Sequence, residues 1–273
     1  RESGFAMSRN SEQWIHQPKF PASHFVDSRI YTDESIFREE QQKVFNSSWI
    51  IGCHESELPA AFDYRTFTHP AGTPLIIVRG EDQKVRAFYN VCPHRGNTLL
   101  YDPVGNAKRI TCIFHQWSFD TKGNCVDITR EEQGFQKRYC KADAGLREVR
   151  AEIGYGGFVW VNLDDNACTL KEYIGDALSM LEEYMSMPLE VFHYHKAVVN
   201  TNYNFWHDTN SEFYHDYLHY FNRVTGMMQP GYFERKYTGY PNGHASVGSM
   251  TIKYDAYEGS KERGVRWPGL GPG

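Results

Sequence analysis

The sequence predicts an α+β protein in which a small all-β domain stands ahead of a mixed α+β domain. Three observations carry this. Residues 50 to 163 alternate short β-type runs with Gly, Pro and Asn; helical periodicity lies on either side of them; and no internal repeat or low-complexity tract interrupts the chain. The 273 residues are 40% hydrophobic and 23% charged, with a net charge of -5, which is the composition of a globular protein and not of a disordered one. A chain of this size buries a substantial core as one large domain or two smaller ones. Mild acidity argues against nucleic acid or an anionic membrane as the main partner. No apolar run approaches the roughly 18 residues of a membrane span, and the polar start has no leader-like apolar segment, so a cytoplasmic chain is expected. The sequence opens on Arg1, with Met7 as a native start or an internal residue, and Trp267 to Gly273 reads as loop. A fragment of a longer protein is expected.

Taken in order, Thr32-Asp33 signals the start of a helix with Ile36, Phe37, Val44 and Phe45 on its apolar side, ending near Trp49. Strands are expected over 73–79, 85–91 and 109–112, in a hairpin turning at Asp120-Thr121-Lys122-Gly123, and over 147–163 with a break at Gly154-Tyr155-Gly156-Gly157. Such spacing suggests a small antiparallel barrel or sandwich. Asp164-Asp165-Asn166 reads as a linker. Thr169 and Glu172 form a capping box for a helix carrying Ile174, Ala177, Leu178, Leu181 and Met185, stopped before Pro188. A β-like stretch over 191–199 then leads to a helical segment over 201–220.

Of six cysteines, Cys53, Cys125, Cys140 and Cys168 have no His or Cys at ligand spacing and are expected as small buried or half-buried residues. Cys92-Pro93-His94 and, after 17 intervening residues, Cys112-Ile113-Phe114-His115 differ. They form two short loops, each with one thiolate and one imidazole. That donor set suits a Cys2His2 zinc ion or an iron–sulfur cluster. In a [2Fe–2S] cluster with two Cys on one iron and two His on the other, each loop gives one ligand to each iron, which the composition of both loops matches.

At these residues the chain resembles a Rieske domain. Cys92-Pro93-His94-Arg95-Gly96 and Cys112-Ile113-Phe114-His115-Gln116-Trp117 follow the pattern of Rieske-type oxygenases. The additional loop cysteines of respiratory Rieske proteins are replaced here by other residues, so an oxygenase centre is the expected electron acceptor.

A second constellation lies in Asp208-Thr209-Asn210-Ser211-Glu212-Phe213-Tyr214-His215-Asp216-Tyr217-Leu218-His219. Positions 208, 212, 215 and 219 are spaced by four, three and four, so on a helix they form one stripe. Two imidazoles one turn apart can ligate one metal, with a carboxylate one turn earlier orienting a ligand. Two His and a carboxylate make the facial triad of non-haem Fe(II) oxygenases. A polar helix face with incidental histidines is the plainer reading of the stripe alone.

The two constellations together resemble the large (α) subunit of Rieske non-haem iron oxygenases over nearly the whole chain. The resemblance implies a Rieske [2Fe–2S] domain ahead of an incomplete helix-grip-like catalytic domain: residues 1–48 as a helical segment packing on the catalytic domain, 49–165 as the Rieske domain, and 166–273 as the start of the catalytic domain. It implies Cys92, His94, Cys112 and His115 as cluster ligands and His215 and His219 as ligands of one mononuclear Fe(II). Glu212, where the family usually has Asp, would link a ligand His to a Rieske His of the neighbouring subunit, and Asp208 stands where Asn is common. The third iron ligand, an Asp, is expected beyond Gly273, because Asp255 comes too early.

The resemblance further implies a terminal oxygenase that hydroxylates a small organic substrate with O2, drawing on a ferredoxin or flavin reductase, as a homotrimer with or without a small β subunit. Arg95, Lys108 and Arg109 either steer an acidic redox partner or are solvated turn residues. Phe205, Trp206, Phe213, Tyr214, Tyr217 and Tyr220 either line an apolar pocket or belong to the core. An aromatic compound or aromatic acid is the first expectation for the substrate. A small non-aromatic sulfonate or an N- or O-methyl compound is the second. From other classes, an extended Rieske electron carrier and a zinc-holding binding module stay open.

Overall fold

The structure, a computed structural model, describes residues 27–136, 138, 140–210 and 237–247. They divide into a unit of residues 41–195 with 237–247 and a unit of residues 27–40 with 196–210. Helix α1 (Glu34–Lys43) begins where the Asp33 carboxylate accepts the Ser35 N–H at 2.8 Å. Val44 follows the helix end and Phe45–Ser47 is a single 3-10 turn. The helical period therefore stops too early to bury the whole expected stripe. Phe45 and Trp49 are buried, whereas Phe37 and Val44 are exposed.

Ten strands follow in the larger unit. They are β1 (Ile50–His54), β2 (Asp63–Thr68), β3 (Pro74–Arg79), β4 (Val85–Tyr89), β5 (Val104–Asn106), β6 (Ile110–Thr111), β7 (Ser118–Phe119), β8 (Cys125–Asp127), β9 (Glu148–Gly154) and β10 (Phe158–Asn162). Seven of them form one antiparallel sheet in the order β1-β10-β9-β4-β3-β2-β5, and β6-β7-β8 form a second, small sheet. The expected runs at 73–79, 85–91, 109–112 and 147–163 are all present, and the last is broken between Gly154 and Phe158. Asp120 makes the β7–β8 turn, its carboxylate accepting the N–H of Lys122 and of Asn124 at 2.9 Å each. Strands β1, β2 and β5 were not anticipated. Asp63-Tyr64-Arg65-Thr66-Phe67-Thr68 buries Tyr64 alone, too little for an apolar pattern.

Strand β3 is apolar from Leu75 to Val78 because both of its faces are covered. Leu75 and Ile77 pack with Cys53, Leu58, Ala87, Val149, Val159 and Val161. Ile76 and Val78 pack on the other side, with Phe88, Cys92, Leu99, Ile110, Cys112 and Trp117. Each fully buried side chain of this kind contributes about 1.5–3 kcal/mol before entropy is charged against it. Both loop cysteines thus belong to the second core, which lies between the large sheet and the small one.

Helix α2 (Glu131–Phe135) comes after β8, and α3 (Leu170–Ile174) opens on the expected capping box: the Thr169 hydroxyl accepts the Glu172 N–H while Glu172 accepts the Thr169 N–H. One continuous helix to Met185 does not form. Gly175 adopts φ 52° and ψ −129°, a conformation open to glycine and incompatible with helix. A 3-10 turn (Ser179–Leu181) and the short α4 (Glu182–Met185) take up the remaining apolar positions. The strand expected over 191–199 is also absent. β-branched and aromatic residues such as Val191, Phe192, Tyr194, Val198 and Val199 give strand propensity, but a ladder needs a partner strand; here the Val191 N–H donates to Ser56 Oγ at 3.1 Å and Arg65 lies over the Tyr194 ring.

In the smaller unit α5 (Tyr203–Asn210) forms the start of the segment expected as helical over 201–220. Residues 211–220 lie outside the described residues. The hairpin β11 (Tyr237–Gly239) and β12 (Ala245–Val247) completes the description. Among the described residues, no helix is long and apolar enough to cross a membrane. Cys53 and Cys125 are buried as expected, but Cys140 and Cys168 are exposed, each standing in a connection outside the sheets.

Candidate metal centre

The two ligand loops are built alike. In the first, between β4 and β5, the Cys92 N–H donates to the carbonyl of Asn97 at 2.7 Å and the Gly96 N–H donates back to the Cys92 carbonyl at 2.8 Å. In the second, between β6 and β7, Cys112 N–H donates to Trp117 at 2.9 Å and Gln116 N–H to Cys112 at 2.8 Å. The fourth residue after each cysteine is left-handed, Gly96 at φ 72° and Gln116 at φ 60°. This turn brings the chain back on itself within six residues and presents the cysteine and histidine of each loop to the same side.

Asn90 anchors the first loop from beneath. Its side chain is buried, accepts the N–H groups of Leu99 and Leu100 at 3.1 and 2.9 Å, and donates to the Leu100 carbonyl at 2.7 Å. The main chain on both sides of the loop is thereby fixed to one amide.

All four sequence-predicted ligands of this region come together. Cys92 and Cys112 are both buried in the core between the two sheets. The rings of His94 and His115 are half-buried neighbours with centroids 4.6 Å apart, and Trp117 stacks on His94 at 4.7 Å, with planes 7° from parallel. Phe135 of α2 meets the edges of both His94 and Trp117. The loop tip beyond the histidines is open, and Ile113 and Phe114 are exposed.

The electrostatics suit metal ligation. Burial pushes the Cys92 thiol up, against the N–H groups of His94 and Arg95. Burial acts in the same sense on Cys112, but the N–H groups of Phe114 and His115, the Cys92 thiol and the Asn97 amide donate to its sulfur and hold it below the ordinary thiol value. Burial, then the charges of His115 and Arg95, lower His94, favouring the neutral ring that a metal requires.

The donor arrangement bears on which group these residues hold. His94 Nδ1 is buried and has no hydrogen-bond partner, an orphaned acceptor or donor that would cost free energy without a ligand. Among the described residues no three His, Cys, Asp or Glu side chains converge as they would around one ion. The four donors stand as a thiol pair and an imidazole pair. One tetrahedral zinc needs all four at about 2.0–2.3 Å, whereas a two-iron cluster takes a pair at each iron. The residues fit the cluster.

The second constellation is described in part. Asp208 lies on α5, and its carboxylate accepts the hydroxyl of Tyr31, whose phenol that bond raises above its usual value. Tyr31 also stacks on Phe205 with centroids 4.2 Å apart. Asn204 reaches from the same helix to the Ile30 carbonyl at 3.0 Å and to Glu40 at 2.8 Å. Phe205 and Trp206 are half exposed or more. Glu212, His215 and His219 lie outside the described residues, as do Phe213, Tyr214, Tyr217 and Tyr220.

Asn90, Asn97 and Tyr31 belong to no motif that the sequence shows on its own. Aligning the two loops on their cysteines would have exposed Asn97 and Trp117 as equivalent fifth residues. No local signal marks Tyr31, which meets Asp208 across 177 positions of chain.

Residues 48–146 match the Rieske [2Fe-2S] domain family. The chain is 51% identical over 276 residues to the methanesulfonate monooxygenase hydroxylase subunit alpha of Methylosulfonomonas methylovora, an alignment covering 97% of this chain and 66% of that protein. It is 43% identical over 270 residues to the 2-aminobenzenesulfonate 2,3-dioxygenase subunit alpha of an Alcaligenes species, covering 97% and 68%. Among solved structures, a quaternary ammonium Rieske monooxygenase in complex with L-carnitine superimposes with a TM-score of 0.67 at 28% identity, over 78% of this chain and 59% of that one. The chain spans about two thirds of the length of the curated relatives it matches.

Proposed function

We propose a function from one premise: the chain belongs to the family of Rieske oxygenase α subunits. On that premise it is the terminal component of an oxygenase system, passing electrons through a Rieske [2Fe–2S] cluster to a mononuclear Fe(II) that activates O2 for hydroxylation of an organic substrate. Cys92 and Cys112 hold one iron of the cluster and His94 and His115 the other. The observation that supports this most directly is the pairing of two thiols and two imidazoles on twin loops, with His94 Nδ1 buried and unpartnered.

The bound cluster supplies electrons singly, as O2 chemistry at one iron requires. The chain's own residues do the holding. Trp117 and Phe135 keep water from one side of His94, and the buried cysteines exclude it from the sulfurs. His215 and His219 would ligate the Fe(II) and Glu212 would link one of them to the neighbouring subunit's cluster, while Tyr31 fixes Asp208, four positions before Glu212 in sequence. This scheme calls for a head-to-tail homotrimer, a ring that closes with three-fold symmetry, with or without a small β subunit. The exposed Arg95, Lys108 and Arg109 present positive charge to an acidic ferredoxin or to a flavin reductase. The cytoplasm, where both would reside, is the proposed compartment.

For the substrate class we favour an organosulfonate, because the two relatives aligned over 97% of this chain are named for methanesulfonate and 2-aminobenzenesulfonate. That ranks the sulfonate above the aromatic acid expected first from the sequence.

The test is anaerobic purification of the protein, iron and sulfide analysis, and EPR of the dithionite-reduced form, followed by O2 uptake with a reductase and methanesulfonate, 2-aminobenzenesulfonate or benzoate. A reduced Rieske signal with uptake dependent on a sulfonate is expected. Zinc without sulfide would overturn the assignment, and uptake with benzoate alone would restore the aromatic acid.

A further inference from the structure

We propose that Asn97 is a positioning residue that raises the reduction potential of the cluster by donating a hydrogen bond to Cys112 across the two loops. The proposal rests on the ligand set given above and adds a residue to it. Asn97 is joined to both cysteines. Its main-chain carbonyl accepts the Cys92 N–H at 2.7 Å, and its side-chain Nδ2 lies 3.8 Å from Cys112 Sγ, a long N–H···S hydrogen bond. An amide NH2 carries two hydrogens. The other is taken by the Thr98 carbonyl at 2.7 Å, which fixes the amide plane, and Oδ1 accepts the Tyr101 hydroxyl at 3.4 Å. The amide is therefore held by its own loop while one hydrogen is left for the opposite loop.

The physical consequence has a definite sign. Adding an electron to the cluster increases negative charge on its thiolates. A donor aimed at one of them stabilises the reduced state more than the oxidised state, so it raises the potential. The effect is one-sided, because the equivalent residue of the second loop, Trp117, stacks on His94 and not on a sulfur. Tyr101 acts through Asn97: its hydroxyl polarises the amide and so strengthens the N–H as a donor.

The test is a mediated redox titration of the full-length protein, followed by the visible or EPR signal of the reduced cluster, for wild type, Asn97→Leu, Asn97→Asp and Tyr101→Phe. Iron and sulfide per chain are measured on each. With cluster content unchanged, Asn97→Leu is expected to lower the midpoint potential, and Tyr101→Phe to lower it less. Tyr101 is 59% exposed, so its variant keeps the fold. Should Asn97→Leu fail to assemble, the near-isosteric Asn97→Asp, which lacks the donor, is expected to titrate below wild type. Midpoints equal to wild type in cluster-loaded Asn97 variants would overturn the role of Asn97 and leave the ligand set standing. A wild type without a reduced Rieske signal would overturn both.

Discussion

Trp117 lies flat against His94, with ring centroids 4.7 Å apart and planes 7° from parallel. The two residues come from different loops, so the contact clasps the loops together as well as sheltering one face of the imidazole. Trp117 is fully buried between the two sheets, so this shelter is continuous with the core.

Replacing Trp117 with Leu removes the stack and leaves a void. Truncating a buried aromatic to alanine costs about 3–5 kcal/mol, and leucine, which fills part of the void, costs less than that. A lower denaturation midpoint is expected, together with faster loss of iron from the anaerobic protein. Stability and iron retention equal to wild type would mean that the stack is not what secures the first loop.

The left-handed residues of the twin turns make a paired prediction. Gly96→Ala meets no atom within 4 Å at its new Cβ, so its cost is conformational, about 1–2 kcal/mol. Gln116→Gly has the opposite sign, because it relieves the same strain, and gains less than about 1 kcal/mol after the added freedom of the unfolded chain. Equilibrium unfolding of both variants checks the signs.

His69 tests burial through pH. It is buried, its Nε2 has no hydrogen-bond partner, and burial lowers its pKa below the ordinary value of 6.5. Above that value both states are neutral and pH has no effect through this residue. As the pH falls below it, the unfolded chain takes up a proton before the folded one, so stability decreases until the folded pKa is reached. The slope from one group is at most about 1.4 kcal/mol per pH unit. His69→Asn, whose side chain can still accept the Ala71 N–H, is expected to flatten the decline between pH 7 and the acid limb. An unchanged slope would assign it to other groups.

The α3 cap tests a feature read from sequence. Thr169→Ala removes the hydroxyl that accepts the Glu172 N–H and is expected to cost about 1 kcal/mol. The Glu172 carboxyl, held below its ordinary value chiefly by the Thr169 hydroxyl and N–H, stabilises the cap above the usual carboxylate pKa and releases it as the pH falls through the depressed value. In the Thr169→Ala protein that acid dependence should weaken, as thermal melts at pH 7 and pH 3 would show.

Features set by neighbours in the chain were legible in the sequence. Cys92 with His94 and Cys112 with His115 each sit within one turn, so their spacing announced a shared donor set before any fold was known. The Thr169–Glu172 cap and the Asp120 turn are equally local, and both are present. Strand β3 was visible because burial on both faces makes a run uniformly apolar. Strand β2, half polar, was not.

Tertiary structure decided the rest, because it depends on what stands opposite. The residues at 191–199 are rich in β-branched and aromatic side chains but face no strand partner among the described residues. The helix beginning at Leu170 stops at Gly175, where the chain turns through a conformation that a periodicity count does not see. Whether the two ligand loops meet, which sulfur Asn97 reaches, and that Tyr31 holds Asp208 are all set by contacts between distant segments. Spacing paired each cysteine with a histidine, and the packing of two sheets brought the two pairs together and determined which polar groups surround them.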